Sequence, residues 1–221
     1  MKRIDARAQP PQEVLEAVAE AVYGGGTVIF PTDTVYGIGC DPAQPKAIGR
    51  IFALKRRPPD KPLGLYFGNV AELLEYAPGN RLAARAARAF LPGPLTIVVA
   101  RLPFVDERVS AGLPSVALRV PEHALCRAIL ERCGPLAATS ANVSGSPAFD
   151  GANETELPAA DLLVDDGPTP LGAESTVIDL TGEEPRLVRE GIITVAMLER
   201  HLGPVHTSPA RTGRAVPKDD A

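Results

Sequence analysis

The chain has 221 residues, of which 45% are apolar and 23% charged, and it carries a net charge of −4. That is globular composition with enough length to bury a hydrophobic core in one domain, and it excludes wholesale disorder, a collagen-like repeat and a disulfide scaffold. The acidic balance also excludes a nonspecific polyanion binder, so any anion site must be a local cluster of cations.

The first residues, Met1-Lys2-Arg3-Ile4-Asp5, lack the apolar core of an export signal, and no apolar run approaches the ~18 residues of a membrane span. Cys40, Cys126 and Cys133 are odd in number and widely spaced. They read as free thiols in a reducing cytosol, so a cytoplasmic location is expected and the sequons at Asn142 and Asn153 are chance matches. With no Trp, six Phe and four Tyr, there are few aromatics for stacking on bases. The 23 Pro and 20 Gly predict many turns.

Val14, Leu15, Val18 and Val22 recur at helical spacing, and Gly24-Gly25-Gly26 stops that helix. Thr27-Val28-Ile29-Phe30 reads as a strand. A helix over 45–54 leads into a basic, Pro-rich loop, and Leu63 to Phe67 is a second strand. Asn69 and Glu72 form a capping-box signature for a helix ending near Pro78. Arg81 to Phe90 is Ala-rich and helical, and Pro92-Gly93-Pro94 breaks it. Strands follow at 95–100 and 116–120. Then comes a helix from Pro121 to Cys133 with Pro in its first turn. A short strand at 136–139 feeds the polar loop Ser140–Gly151, and another strand lies at 161–164. Residues 176–180 and 186–188 read as a hairpin around Thr181-Gly182, and 194–202 as a last helix. Residues 205–221 are Pro-rich, charged and aperiodic, which predicts a mobile tail after a domain at 1–204. Alternating strands and helices with a late hairpin predict an α/β layered domain around a mixed sheet.

Five segments could carry chemistry. In Phe30-Pro31-Thr32-Asp33-Thr34-Val35-Tyr36-Gly37, polar groups follow a strand end, where open α/β sheets bind ligands; a capped turn is the alternative. Lys55-Arg56-Arg57-Pro58-Pro59-Asp60-Lys61 places four cations within seven positions on a Pro-stiffened loop. Forked Arg donors there suit a nucleoside triphosphate, although a solvated loop has the same pattern. Arg119 interrupts an apolar strand, so it must be paired or face a ligand. Ser140-Ala141-Asn142-Val143-Ser144-Gly145 is small enough for close backbone approach. Ser175 opens a strand and Arg189 ends one. No Walker A motif or GxGxxG is present, and His123, His201 and His206 form no metal pattern with the cysteines. A Ser-His-Asp hydrolase would have to rely on His123, on a surface-patterned helix.

Taken in order, Pro31-Thr32-Asp33-Thr34-Val35-Tyr36-Gly37, Lys55-Arg56-Arg57, Lys61-Pro62-Leu63, Pro92-Gly93-Pro94-Leu95-Thr96, Arg119-Val120-Pro121, Ser140 to Gly145 and Ser175-Thr176-Val177-Ile178-Asp179 resemble the YrdC/TsaC family of threonylcarbamoyl-AMP synthases. The resemblance runs from about Gly24 to Gly191. It implies a twisted α/β domain with a concave active-site face. The implied enzyme is a nucleotidyltransferase that condenses L-threonine, bicarbonate and ATP into threonylcarbamoyl-AMP and releases pyrophosphate. A separate TsaD-type transferase would then act on tRNA, which makes tRNA an indirect partner. By motif, Thr34, Arg119 and Ser175 resemble the threonine-binding residues. Lys55, Arg57, Lys61, Ser115, Ser140, Asn142 and Arg189 resemble those around ATP, with Lys55 and Arg57 stabilising charge in the transition state. Mg²⁺ would accompany ATP without a protein side-chain ligand, and no general base stands out.

Two positions depart from the family pattern. Ala148 stands where relatives often carry Ser, and Tyr66 where many carry His. The length matches the short family form. An RNA-binding module using the basic loop, or a paralogue without synthase activity, is the alternative. Ten carboxylates and no Lys or Arg lie between Cys133 and Pro185, which favours a small anion over a phosphate backbone.

Overall fold

A computed structural model describes residues 1–207. Along the chain it runs β1 (Lys2–Asp5), α1 (Pro11–Tyr23), β2 (Val28–Phe30), β3 (Gly37–Cys40), α2 (Pro45–Lys55), β4 (Gly64–Tyr66), α3 (Val70–Glu75), α4 (Arg81–Phe90), β5 (Leu95–Ala100), β6 (Ser115–Arg119), α5 (Ala124–Cys133), β7 (Leu136–Ser140), β8 (Leu162–Asp165), β9 (Thr176–Asp179), β10 (Arg186–Arg189) and α6 (Val195–Leu202). The strands form one mixed sheet in the order β1-β8-β2-β3-β7-β4-β6-β5-β9-β10. This is the expected α/β class, a mixed sheet with flanking helices.

Period-two alternation sends each strand's apolar residues to two separate cores. Ile29, Leu65, Ile97, Leu118, Ala137, Leu163 and Ile178 enter a large core with α2, α3, α4 and α6. Val28, Phe30, Leu136, Ala138, Leu162 and Val164 enter a smaller one, where Val14, Val18 and Val22 of α1 meet Cys126, Ile129 and Leu130 of α5. One face of the sheet is therefore covered from β8 to β9. On the other face, α1 and α5 cover the half from β1 to β7. The half from β4 to β10 is left for the site.

The strands predicted at 27–30, 63–67 and 95–100 are present as Val28–Phe30, Gly64–Tyr66 and Leu95–Ala100, and Asn69 caps α3 by accepting a hydrogen bond from Glu72 N at 2.9 Å. Residues 176–179 and 186–189 pair antiparallel, as the hairpin signal required. Three expectations need correction. The helix predicted from Pro121 begins at Ala124, and His123 is its N-cap, with Nδ1 accepting from Cys126 N at 3.4 Å. His123 therefore sits at a helix end rather than on a helix surface. Strands β1 and β3 were not anticipated. At the start of the expected tail, Val205 is buried and His206 bridges to Arg186 beside β10; residues 208–221 lie outside the described residues. The cysteines are unbridged. Among the described residues, no helix is long and apolar enough to cross a membrane.

Candidate active site

The uncovered half-sheet holds a cavity of about 450 Å³. Register makes its floor. Ala138 pairs with Gly64, Gly64 with Ala117, and Ala117 with Val98. A row of small side chains thus crosses four strands on the cavity side. The next row carries the functional groups: Tyr66 pairs with Arg119, while Thr96 pairs with Val177 and Val177 with Arg189. A register shift between Leu187 and Arg189 lets consecutive residues Val188 and Arg189 both line the cavity, which regular alternation would forbid.

Three arginines line this cavity, and each is held by its own frame. Arg57 donates from Nε to Lys61 O at 3.0 Å and from Nη2 to Pro62 O at 2.7 Å. Burial holds its guanidinium below the ordinary value. Arg119 donates from Nε to Gly93 O at 3.3 Å and from Nη2 to Asp33 Oδ1 at 2.6 Å. The side chains of that pair are only 3% and 4% exposed, and the Arg119 guanidinium lies 5.8 Å from the centre of the Tyr66 ring. Arg189 donates from Nε and Nη2 to Ser175 O at 3.2 and 2.9 Å. For Arg57 and Arg119, Nη1 has no partner among the described residues, so a preoriented donor remains for an anion. Lys61 also lines the cavity.

Hydroxyls stand beside Arg119. Thr32 gives its hydroxyl hydrogen to Val35 O at 2.6 Å, so the 3.0 Å contact between Thr32 Oγ1 and Thr34 Oγ1 has Thr34 as donor. Thr34 consequently offers acceptor lone pairs to a ligand. Thr96 Oγ1 and Ser175 Oγ are 2.9 Å apart. The Tyr36 hydroxyl is already committed, donating to Gly167 O at 2.7 Å and accepting from Asp166 N at 2.9 Å. Burial pushes it up to about 12, so it is neither acid nor base near neutrality.

Of the ten residues singled out by sequence, the structure brings seven to the cavity: Thr34, Arg57, Lys61, Arg119, Ser140, Ser175 and Arg189. Lys55, Asn142 and Ser115 are not among its lining residues. Lys55 is buried, and its ammonium donates to Ser140 O at 2.5 Å, Asn142 O at 2.6 Å and Asn142 Oδ1 at 3.2 Å. Burial, and then the neighbouring Arg57 charge, push it down to about 7; the three oxygen acceptors favour the charged form. Lys55 therefore braces the Ser140–Asn142 loop from beneath and has no hydrogen left for a phosphate. Between Lys55 and Arg57, Arg56 adopts a left-handed conformation at φ 49° as it ends α2. That turn separates a buried cation from one facing the cavity.

Asn142 is saturated as well. Its Oδ1 also accepts from Ser140 Oγ at 2.7 Å, and its Nδ2 donates to Val143 O and Ser146 O. It lines a neighbouring cavity of about 460 Å³ together with Ala148. Ser115 lies on the Ala117 and Arg119 side of β6 but beyond the cavity. Asp33, Tyr66, Thr96 and Glu174 were not assigned a site role from sequence. Only the buried Arg119, which demands a counter-charge, signalled one of them.

Residues 20–191 match the Sua5/YciO/YrdC family, described as "Telomere recombination". The chain is similar to the threonylcarbamoyl-AMP synthase of Pyrococcus abyssi, with 35% identity over 218 residues, 96% of this chain and 64% of the relative. It is similar to the threonylcarbamoyl-AMP synthase of Bacillus subtilis at 38% identity over 188 residues, 81% of this chain and 54% of the relative. The crystal structure of P. abyssi Sua5 complexed with L-threonine aligns with a TM-score of 0.83 at 33% identity, over 95% of this chain and 64% of that one. The chain spans less than two thirds of the length of each of these relatives. With residues 20–191 matched, which is most of its length, the chain belongs to the Sua5/YciO/YrdC family.

Proposed function

We propose that this chain is a threonylcarbamoyl-AMP synthase that condenses L-threonine, bicarbonate and ATP and releases pyrophosphate. One observation carries the reading: a single cavity joins a polyanion rim of Arg57, Lys61 and Arg189 to a buried Arg119 flanked by the hydroxyls of Thr34, Thr96 and Ser175. The names of the relatives support it. Arg119 receives the amino-acid carboxylate through Nη1, and Thr34 and Ser175 orient the amine and side-chain hydroxyl. The neutral amine nitrogen bonds to the carbon of CO₂, releasing one proton to solvent, or to that of bicarbonate, releasing water instead, and either route gives a carbamate. A carbamate oxygen then attacks the α-phosphorus as the bond to pyrophosphate breaks in line. Such a step needs alignment and charge neutralisation more than an acid–base pair. Arg57, Lys61 and Arg189 supply both.

Mg²⁺ fits this site as a companion of the nucleotide. Arg57, Lys61 and Arg189 line the cavity and would hold the nucleotide phosphates that carry the ion. Carried in with the nucleotide, the ion would supply positive charge against the departing pyrophosphate. The product is a reactive mixed anhydride and must be consumed by acyl transfer, which fits a TsaD-type transferase acting on tRNA in the cytoplasm. The test is pyrophosphate release with threonine, bicarbonate and ATP each omitted in turn. Release should require all three, and Arg57→Ala should lower it at least about tenfold at sub-saturating ATP. Turnover indifferent to threonine, or tRNA binding with no turnover at all, would overturn the reading.

A further inference from the structure

Glu174 and Arg189 form an ion pair of 2.8 Å on the cavity rim, with side chains 46% and 42% exposed. Arg189 does not depend on that contact for its orientation. Its Nε and Nη2 are fixed by the Ser175 carbonyl, and Gly191 brings this stretch against the backbone of Glu174, Ser175 and Thr176, where a Cβ would collide. Glu174 engages only Nη1, the nitrogen corresponding to those that Arg57 and Arg119 keep uncommitted. The carboxylate itself is loosely held. Gly172, Ala173 and Glu174 are exposed and make no backbone hydrogen bond among the described residues. Glu174 lines both the main cavity and the neighbouring one that contains Asn142 and Asp150, so space exists on either side of it.

We propose that Glu174 is an exchangeable counter-ion that competes with a nucleotide phosphate for Nη1 of Arg189 and thereby sets nucleotide affinity. The inference rests on the nucleotide reading of the cavity given above. A half-exposed ion pair is weak and opens at little cost. A triphosphate offers more negative charge than one carboxylate, so it takes the nitrogen while Ser175 keeps the guanidinium plane in place. Glu174 then turns toward the neighbouring cavity.

The test is calorimetric titration of Mg²⁺-ATP into the 221-residue chain, with steady-state kinetics alongside. Glu174→Gln should tighten ATP binding about two- to fivefold, the range expected for releasing one exposed pair. KM for ATP should fall by the same factor with kcat unchanged, and Glu174→Asp should restore the wild-type values. In an Arg189→Ala background, Glu174→Gln should lose most of this gain. Weaker or unchanged ATP binding in Glu174→Gln overturns the exchange, because Glu174 would then help the ligand or ignore it. An undiminished gain without Arg189 also overturns it, since the effect would be diffuse repulsion. Wild-type chain that binds no ATP defeats the nucleotide reading itself; wild-type binding without the Gln effect defeats the exchange alone.

Discussion

The ammonium of Lys55 ends among three oxygens of the Ser140–Asn142 loop. Removing it takes the charged donor from the half-buried main-chain carbonyls of Ser140 and Asn142, while Asn142 Oδ1 keeps the Ser140 hydroxyl; each lost bond costs about 1 kcal/mol. Lys55→Met should therefore lower unfolding stability by about 2 kcal/mol, measured by urea denaturation, and weaken nucleotide use only through the displaced loop. A loss of ATP affinity at unchanged stability would contradict the bracing role. The charge run was legible in sequence as a cation cluster, but which cation faced inward was not. That depends on the left-handed turn at Arg56, which no residue type there announces. Arg119 was legible as a charge in need of a partner: it is ion-paired to Asp33, and it also lines the cavity. Thr176 shows what sequence leaves silent. Its buried hydroxyl donates to Ile193 O and accepts from Gly191 N and Ile193 N, tying the residues after β10 to the start of β9.

Helix α5 begins with His123 as its cap, and this gives the element a pH dependence. The ring accepts a backbone hydrogen through Nδ1, so it must be neutral there. Burial lowers its affinity for a proton, while Asp166, 3.5 Å from Nε2, and Asp33 act in the opposite sense. Its folded pKa lies below the ordinary 6.5. This contribution to stability is complete above that pH. It is lost as the pH falls from there through the folded value, because the unfolded chain takes up the proton first. Wild-type protein should therefore lose more stability than His123→Asn between pH 7 and pH 5, read from urea midpoints; equal losses would contradict the capping role. The sequence placed the start of this helix at Pro121 because Pro favours a first turn. An imidazole serving as the cap carries no comparable signal. β3 was hidden for another reason. Two of its four residues are Gly, and the Phe30 ring lies where their side chains would be: a Cβ at Gly37 or Gly39 would come within 3.0–3.1 Å of it.

At the scale of the molecule, the site exists because one sheet face is only half covered and because Gly64, Ala117 and Ala138 meet in register. Singly, these small residues read as poor strand formers. Long-range pairing alone turns them into a floor, so the cavity was illegible although its rim residues were not. Ala117→Leu should fill that floor with branched carbon, abolish threonine-dependent pyrophosphate release, and change the melting temperature by only a few degrees, about 1 kcal/mol in a chain of this size. Retained turnover would place the chemistry elsewhere.

The pairing of β1 with β8 has a consequence for biogenesis. Lys2–Asp5 lies beside Leu162–Asp165, and β2 leans on the same strand. As the polypeptide emerges from the ribosome, β1 has no strand partner until β8, which begins at Leu162, has been made. Closing so long a loop is slow, so the N-terminal segment docks late, and a chaperone that shelters it would act over most of translation.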